Sequence, residues 1–282
     1  MVIIGLKSGG LANRLFAFGH FIANAIEYNY RLLNPTFYEY SKYFSSTSND
    51  DFGGYQIAVK PYLYPLLRVL VPRLIRRCKN SALHHFFEIQ DELTPFDLND
   101  KEFLTQARGK TTVTYGWTFR DYKNFGKHSE SIRKFFELTS PYHENVDSII
   151  KRCKRETDIL IGVHMRRGDY KIWKEGIYYY DDGVYYEKML QVKGHFHESG
   201  KRVSFLLCSN EEINKNNFEG LDITLGLNHP VEDLYSLSRC DYIIGPPSTY
   251  SMWASFYGKV PALEIVSRNQ AIDVKCFRLA CG

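Results

Sequence analysis

The sequence predicts an α/β protein whose second half is a parallel, Rossmann-like sheet. Three observations predict it. Short apolar runs recur through residues 159–245, separated by stretches of helical character. Polar loops follow these runs, in the place where open α/β sheets bind ligands. At the N-terminus, the strand-like Val2-Ile3-Ile4-Gly5-Leu6 leads through Ser8-Gly9-Gly10-Leu11-Ala12-Asn13-Arg14 into a helix. Strand, glycine loop and helix in that order present backbone N–H groups to an anion or polar ligand. The chain has 282 residues, which suggests two domains at roughly 100–200 residues each.

The elements follow in order. Leu15 to Tyr28 is rich in Phe, Ala and Ile and predicts the first helix. Residues 34–58 are polar and rich in Gly, Ser and Asn, so loops are expected there. Lys60 to Lys79 holds Lys60, Arg68, Arg73, Arg76, Arg77 and Lys79 with no acid, among many Leu, Val and Tyr. That mixture fits a membrane-surface helix. Pro61, Pro65 and Pro72 are expected to interrupt a regular helix, which favours a basic surface segment over the core. Thr111–Tyr115 is β-branched and predicts a strand; Gly116–Asp121 is a loop and Ser129–Leu138 a helix. Pro141–Lys154 predicts a helix that bridges into the second domain, giving domains at residues 1–150 and 151–282. Strand Ile159–Val163, helix Tyr185–His195, strand Val203–Cys208, helix Val231–Leu237, strand Tyr242–Gly245 and helix Ser248–Tyr257 complete the pattern.

Composition narrows the function. A net charge of +4 is too small to demand nucleic acid and suits an anionic small ligand equally well. The 21 Tyr, 19 Phe and 3 Trp fit either core packing or carbohydrate contacts, and composition does not separate the two. The six cysteines, Cys78, Cys153, Cys208, Cys240, Cys276 and Cys281, form no C-x-x-C pair and no zinc spacing. Several lie in apolar stretches, so reduced thiols and a cytoplasmic protein are expected. The N-terminus lacks a signal peptide's charged leader and long apolar core. No run reaches the roughly 18 apolar residues that span a bilayer. The G-x-G-x-x-G, Walker A and G-x-S-x-G patterns are absent, which argues against NAD enzymes, kinases and hydrolases.

Three loops carry the chemistry. His164-Met165-Arg166-Arg167-Gly168-Asp169-Tyr170 follows the apolar run Ile159–Val163. Two arginines, a glycine and an acid that holds one guanidinium make a diphosphate clamp; a solvated turn with an ion pair is the plainer alternative. Pro246-Pro247-Ser248-Thr249-Tyr250-Ser251-Met252-Trp253 offers hydroxyls and free N–H groups at a helix start, suited to phosphate or to simple N-capping. Ser209-Asn210-Glu211 ends a strand and either places an amide near a nucleobase or ribose or forms an ordinary turn. No D-x-D pair occurs, so Arg166, Arg167 and helix termini are the expected partners of diphosphate charge.

These residues resemble a known family. Gly9-Gly10-Leu11-Ala12-Asn13-Arg14-Leu15-Phe16 resembles the GGLGNQ(L/M)F opening of bacterial α1,2-fucosyltransferases. His164 to Tyr170 resembles their H-x-R-R-G-D-Y motif, Ser209-Asn210-Glu211 their S-N-D, and Pro247 to Trp253 their N-S-T-F-S-W-W. The segment from Tyr115 to Phe136 is similar to their middle region, and all appear in family order. The departures are Arg14 for Gln, Glu211 for Asp, Pro247 for Asn, Met252 for Trp, and Phe119-Arg120-Asp121 in the middle motif.

The resemblance implies a GT-B-like fold, two Rossmann-like domains with a cleft between them. It implies transfer of fucose from GDP-fucose to a glycan hydroxyl, inverting, α1,2-linked and without a metal or other cofactor. The N-terminal domain takes the acceptor and the C-terminal domain the donor. Arg166 then binds the diphosphate; by the charge reading of the loop, Arg167 joins it and Asp169 orients Arg166 or Arg167. Ser248, Thr249 and Ser251 support phosphate or ribose, His164 and Asn210 contact the nucleoside, and Asn13 approaches the transferred sugar. Asp121, Asp169 and Glu27 stand as alternative general bases. A GT-B transferase using another nucleotide sugar and a non-catalytic nucleotide- or glycan-binding homologue remain as rivals. A lipid-linked oligosaccharide at the inner membrane face is the usual context of the bacterial relatives, with a free or protein-linked glycan as the alternative acceptor; the basic residues 60–79 are the candidate segment for peripheral membrane contact.

Overall fold

The computed structural model describes residues 1–7, 9–77, 84–88, 94–116 and 118–280. The readings at Ser8, Cys78, Lys79, Trp117 and Cys281 lie outside the described residues. The chain divides into two compact units, Met1–Thr139 and Ser140–Cys281.

The first unit runs β1 (Val2–Ile4), α1 (Leu11–Tyr28), β2 (Leu32–Leu33), α2 (Ser45–Asn49), β3 (Ile57–Ala58), α3 (Tyr64–Arg77) and β4 (His84–Glu88). It continues with β5 (Phe96–Asp97), α4 (Lys101–Gly109), β6 (Thr111–Tyr115), β7 (Phe119–Arg120), α5 (Tyr122–Lys127) and α6 (Ser129–Phe135). Five strands form a parallel sheet in the order β3-β2-β1-β6-β4. Residues of α1 from Leu11 to Ala25 are almost all buried, which is why the helix is apolar on most faces. Phe18 of α1 meets Phe37, Phe52 and Phe136 at ring-centroid distances of 5.4, 5.9 and 5.8 Å. Much of the aromatic content is therefore core, not ligand surface.

The structure corrects one expectation for residues 60–77, that the prolines interrupt a regular helix. They form a 3₁₀ turn, Pro61–Leu63, and then the 14-residue helix α3 with Pro72 inside it. Pro61 opens the turn and Pro65 lies in the first turn of α3, where a missing N–H costs nothing.

The second unit runs α7 (Ser140–Cys153), β8 (Ile159–Met165), α8 (Asp182–His197), β9 (Val203–Ser209), β10 (Ile223–Leu225), α9 (Pro230–Leu237), β11 (Tyr242–Gly245), α10 (Thr249–Gly258) and β12 (Ala262–Glu264). All pairings are parallel, in the order β10-β9-β8-β11-β12. This is the doubly wound, Rossmann-like sheet that the alternation predicts. β8 is buried from Leu160 through Met165 with no polar alternation, as expected for a parallel strand covered on both faces. Helix α9 comes so near that a Cβ on Gly162 would lie 2.7 Å from Leu237 Cδ2. The strand order reverses between β8 and β11, so the loops after these two strands flank the switch point. The helix read as a bridge, α7, belongs to the second unit.

Candidate active site

The loop after β8 carries both arginines, and their surroundings differ. Arg166 keeps 31% of its side chain exposed, with Nη2 at 2.8 and 2.9 Å from the two carboxylate oxygens of Asp169. Its guanidinium also lies over the Tyr170 ring. Arg167 is buried and its guanidinium is held by Asp182 at the start of α8.

Gly168 turns the chain with φ +57°, where a Cβ would sit 2.7 Å from Asn210 Nδ2. Asn210 Oδ1 accepts from the Arg167 N–H at 2.7 Å, and Glu211 accepts from the Gly168 N–H at 3.2 Å and from Lys171 at 3.0 Å. The Ser-Asn-Glu turn after β9 thus holds the arginine loop in place.

The loop after β11 closes the other side. Tyr170 donates its hydroxyl hydrogen bond to the Pro247 carbonyl at 2.6 Å. Ser248 is the N-cap of α10, its Oγ accepting from the Tyr250 N–H at 3.2 Å. Ser251 Oγ lies 2.7 Å from His164 Nδ1. Burial, and then the positive Arg166 nearby, push His164 down to about 3, so it is a neutral hydrogen-bonding group at ordinary pH.

A cavity of about 270 Å³ opens at this switch point. His164, Arg166, Asn210, Asn228, Asp233 and Tyr250 are among the residues that line it. Arg167, Asp169, Ser248, Thr249 and Ser251 are not. A second cavity of about 540 Å³ shares Ser209, Asn210, Asn228 and Asp233 and extends along Glu211, Ile213 and Leu225. Asp233, in the first turn of α9, is a residue the sequence reading missed. Its Oδ1 accepts from the Leu227 N–H at 2.6 Å, and a Cβ on Gly226 would lie 2.6 Å from the same oxygen. Burial raises its carboxyl to about 6. Gly226, Asn228 and Pro230 are the local sequence signals of this tight turn, in which Asn228 is left-handed at φ 54°.

In the first unit, Asn13 stands in the first turn of α1, against Gly9 at φ +64°. Arg14 is buried and pairs with Glu39 at 2.7 Å, while its Nε donates to the Gly9 carbonyl at 3.1 Å. Lys7 and then Arg14 hold Glu39 at about 2, so the charge that Arg14 adds is met inside the unit. Asp121 is 1% exposed and accepts from the side chains of Asn24, Asn99 and Asn124. That burial leaves it no access to an acceptor hydroxyl. Glu27 is bonded to Lys127 and His128. Among the described residues no group of three His, Cys, Asp or Glu side chains is placed to hold a metal ion, and Cys153, Cys208, Cys240 and Cys276 are unpaired.

The comparisons bear on the fold and the family. The fold is shared with FUT1 of Arabidopsis thaliana, solved as a mutant with GDP, at 14% identity and a TM-score of 0.61 over 93% of this chain and 69% of that one. It is shared with fucosyltransferase NodZ from Bradyrhizobium at 16% identity and a TM-score of 0.57, over 93% and 94% of the two chains. POFUT1 in complex with GDP-fucose matches at 12% identity and a TM-score of 0.58, over 92% and 93%. The architecture is therefore GT-B-like. A search of curated protein sequences finds no match. The profile of glycosyl transferase family 11 matches residues 21–275, and with both arginine-loop and helix-start motifs inside that span, the chain belongs to glycosyl transferase family 11, a family of fucosyltransferases.

Proposed function

We propose that this chain transfers fucose from GDP-fucose to a hydroxyl of a glycan acceptor, with inversion, an α1,2 linkage and no metal. The observation that carries the reading is Arg166, lining a cavity at the switch point of a doubly wound sheet. The fold is that of FUT1 solved with GDP and of POFUT1 solved with GDP-fucose, which supports the same donor class here.

In the reaction, the acceptor oxygen bonds to the anomeric carbon as the bond to the β-phosphate oxygen breaks. The electron pair leaves with GDP and the hydroxyl proton passes to a base or to solvent. Negative charge grows on the β-phosphate, and Arg166, oriented by Asp169, is the group that meets it. The backbone N–H groups at the start of α10 add to that field through Ser248, Thr249 and Ser251. His164 and Asn210 contact the nucleoside, and Arg167 positions the loop from its bond to Asp182. The first unit takes the acceptor, with Asn13 near the transferred sugar. Buried, unpaired Cys153, Cys208 and Cys240 support a cytoplasmic place of action.

The test is calorimetry of GDP, GDP-fucose, GDP-mannose and UDP-sugars without added metal, on the wild type and Arg166→Ala. GDP-fucose is expected to bind selectively. Arg166→Ala is expected to weaken it about 10- to 100-fold, the size of a hydrogen bond to a charged group, at about 1.5–3 kcal/mol. Equal binding of UDP-sugars overturns the donor assignment. Unchanged affinity in Arg166→Ala overturns the clamp.

A further inference from the structure

We infer that α3 is a surface-seeking helix that docks the protein on an anionic phospholipid bilayer. Leu66, Val69 and Leu70 are 57%, 47% and 38% exposed. Their spacing of three and four residues puts them on one face of the helix. Tyr62, in the turn just before, is 72% exposed. The core takes a different face of the helix, since Leu67, with Leu63 of the preceding turn, packs against the cluster of Ile3, Leu33, Phe86 and Val113. The segment thus has two apolar faces, and the second is turned to solvent. Grouped exposed apolar side chains of this kind mark a contact surface.

The charge around the stripe selects the occupant. No Asp or Glu occurs from residue 60 through 87. Lys60 is paired with Asp50 at 2.6 Å, whereas Arg68 and Arg73 meet no carboxylate among the described residues. Arginines beside an aliphatic stripe lay their stems along it and reach outward to phosphate. An anionic lipid surface supplies both halves of that match, acyl chain for the stripe and headgroup phosphate for the arginines. A second copy of this chain supplies only one, because a two-fold contact would set the same arginines against each other.

The experiment is flotation of the full chain with vesicles of phosphatidylglycerol and phosphatidylcholine in equal parts, against phosphatidylcholine alone. The wild type is expected to float with the anionic vesicles and to be released by high salt. Arg68→Gln with Arg73→Gln is expected to weaken binding roughly fivefold per arginine. Leu66→Ser, Val69→Ser and Leu70→Ser together are expected to lose at least about tenfold. Circular dichroism and thermal unfolding show that each variant is folded, which these exposed positions allow. The proposal falls if the wild type ignores anionic vesicles, if it binds neutral ones equally well, or if the serine variant floats undiminished. It also falls if sedimentation shows the wild type dimeric and the serine variant monomeric, since the stripe is then a self-contact.

Discussion

Arg166 and Arg167 are neighbours in sequence, yet physical chemistry gives them different parts. The Arg166–Asp169 pair has 31% and 59% of its side chains exposed, and exposed pairs contribute about 0–1 kcal/mol. A phosphate can displace or share such a pair at little cost. The Arg167–Asp182 pair is 9% and 18% exposed, and breaking a buried pair costs about 3–5 kcal/mol. Arg167 therefore stays where it is. The sequence reading gave both arginines to the diphosphate; the difference in burial that separates their parts in the proposal cannot be read from two identical letters. Asp233 was missed for a related reason, since its surroundings come from Gly226 and Leu227 on another element. It carries a pH prediction. Its carboxyl ordinarily titrates near 3.8 and is raised to about 6 by burial in the fold. Between those values the folded protein holds a proton that the unfolded chain has released. Stability is thus lost as pH rises from about 4 to about 6, with the full cost present above that. The gap corresponds to roughly 3 kcal/mol. Urea unfolding at pH 4 and pH 7 should show the wild type losing about that much relative to Asp233→Asn, which keeps an acceptor for the Leu227 N–H. Parallel curves would place the carboxylate in a better-solvated site.

At the scale of elements, what was legible is what local pattern determines. β8 and β9 are seven-residue, mostly apolar strands, and their loops are distinctive. Ser248 before an aromatic-rich run marks the start of α10 correctly as an N-cap. β10 and β12 have three residues each, too few to show a period. Pro61 and Pro65 misled because a proline in a first turn costs little, which composition does not reveal, whereas Pro72 is accommodated inside the helix. Glycines divide the same way. Alanine is favoured over glycine inside a helix by about 1 kcal/mol. In α8, a Cβ on Gly194 meets nothing within 4 Å, so Gly194→Ala should stabilise by about that amount. In α10, a Cβ on Gly258 would lie 1.9 Å from the Ser238 carbonyl oxygen. Backbone cannot yield cheaply, and overpacking costs about 1–3 kcal/mol, so Gly258→Ala should destabilise despite the better propensity. Urea midpoints for the two variants should move in opposite directions; a shift of the same sign would mean that propensity governs both.

For the molecule as a whole, each unit has its own parallel sheet and its own apolar core. Ile161, Val163, Phe205 and Ile244 anchor one, while Ile3, Leu33 and Val113 anchor the other. Repetition of the sheet did not announce itself in the sequence, since the first unit's strands are short and only the second alternates cleanly. The division bears on where the donor binds, because a ligand stabilises the unit that holds it. At a hundred times its Kd, GDP adds about 2.7 kcal/mol to that unit, or roughly a hundredfold slower exchange for amides that open only when it unfolds. Native-state hydrogen exchange with and without GDP should slow amides of β8, β9 and β11. Amides of β1 and β6 should change far less, since the first unit is assigned the acceptor. Protection confined to β1 and β6 would move the nucleotide to the first unit and leave Arg166 without a donor to clamp.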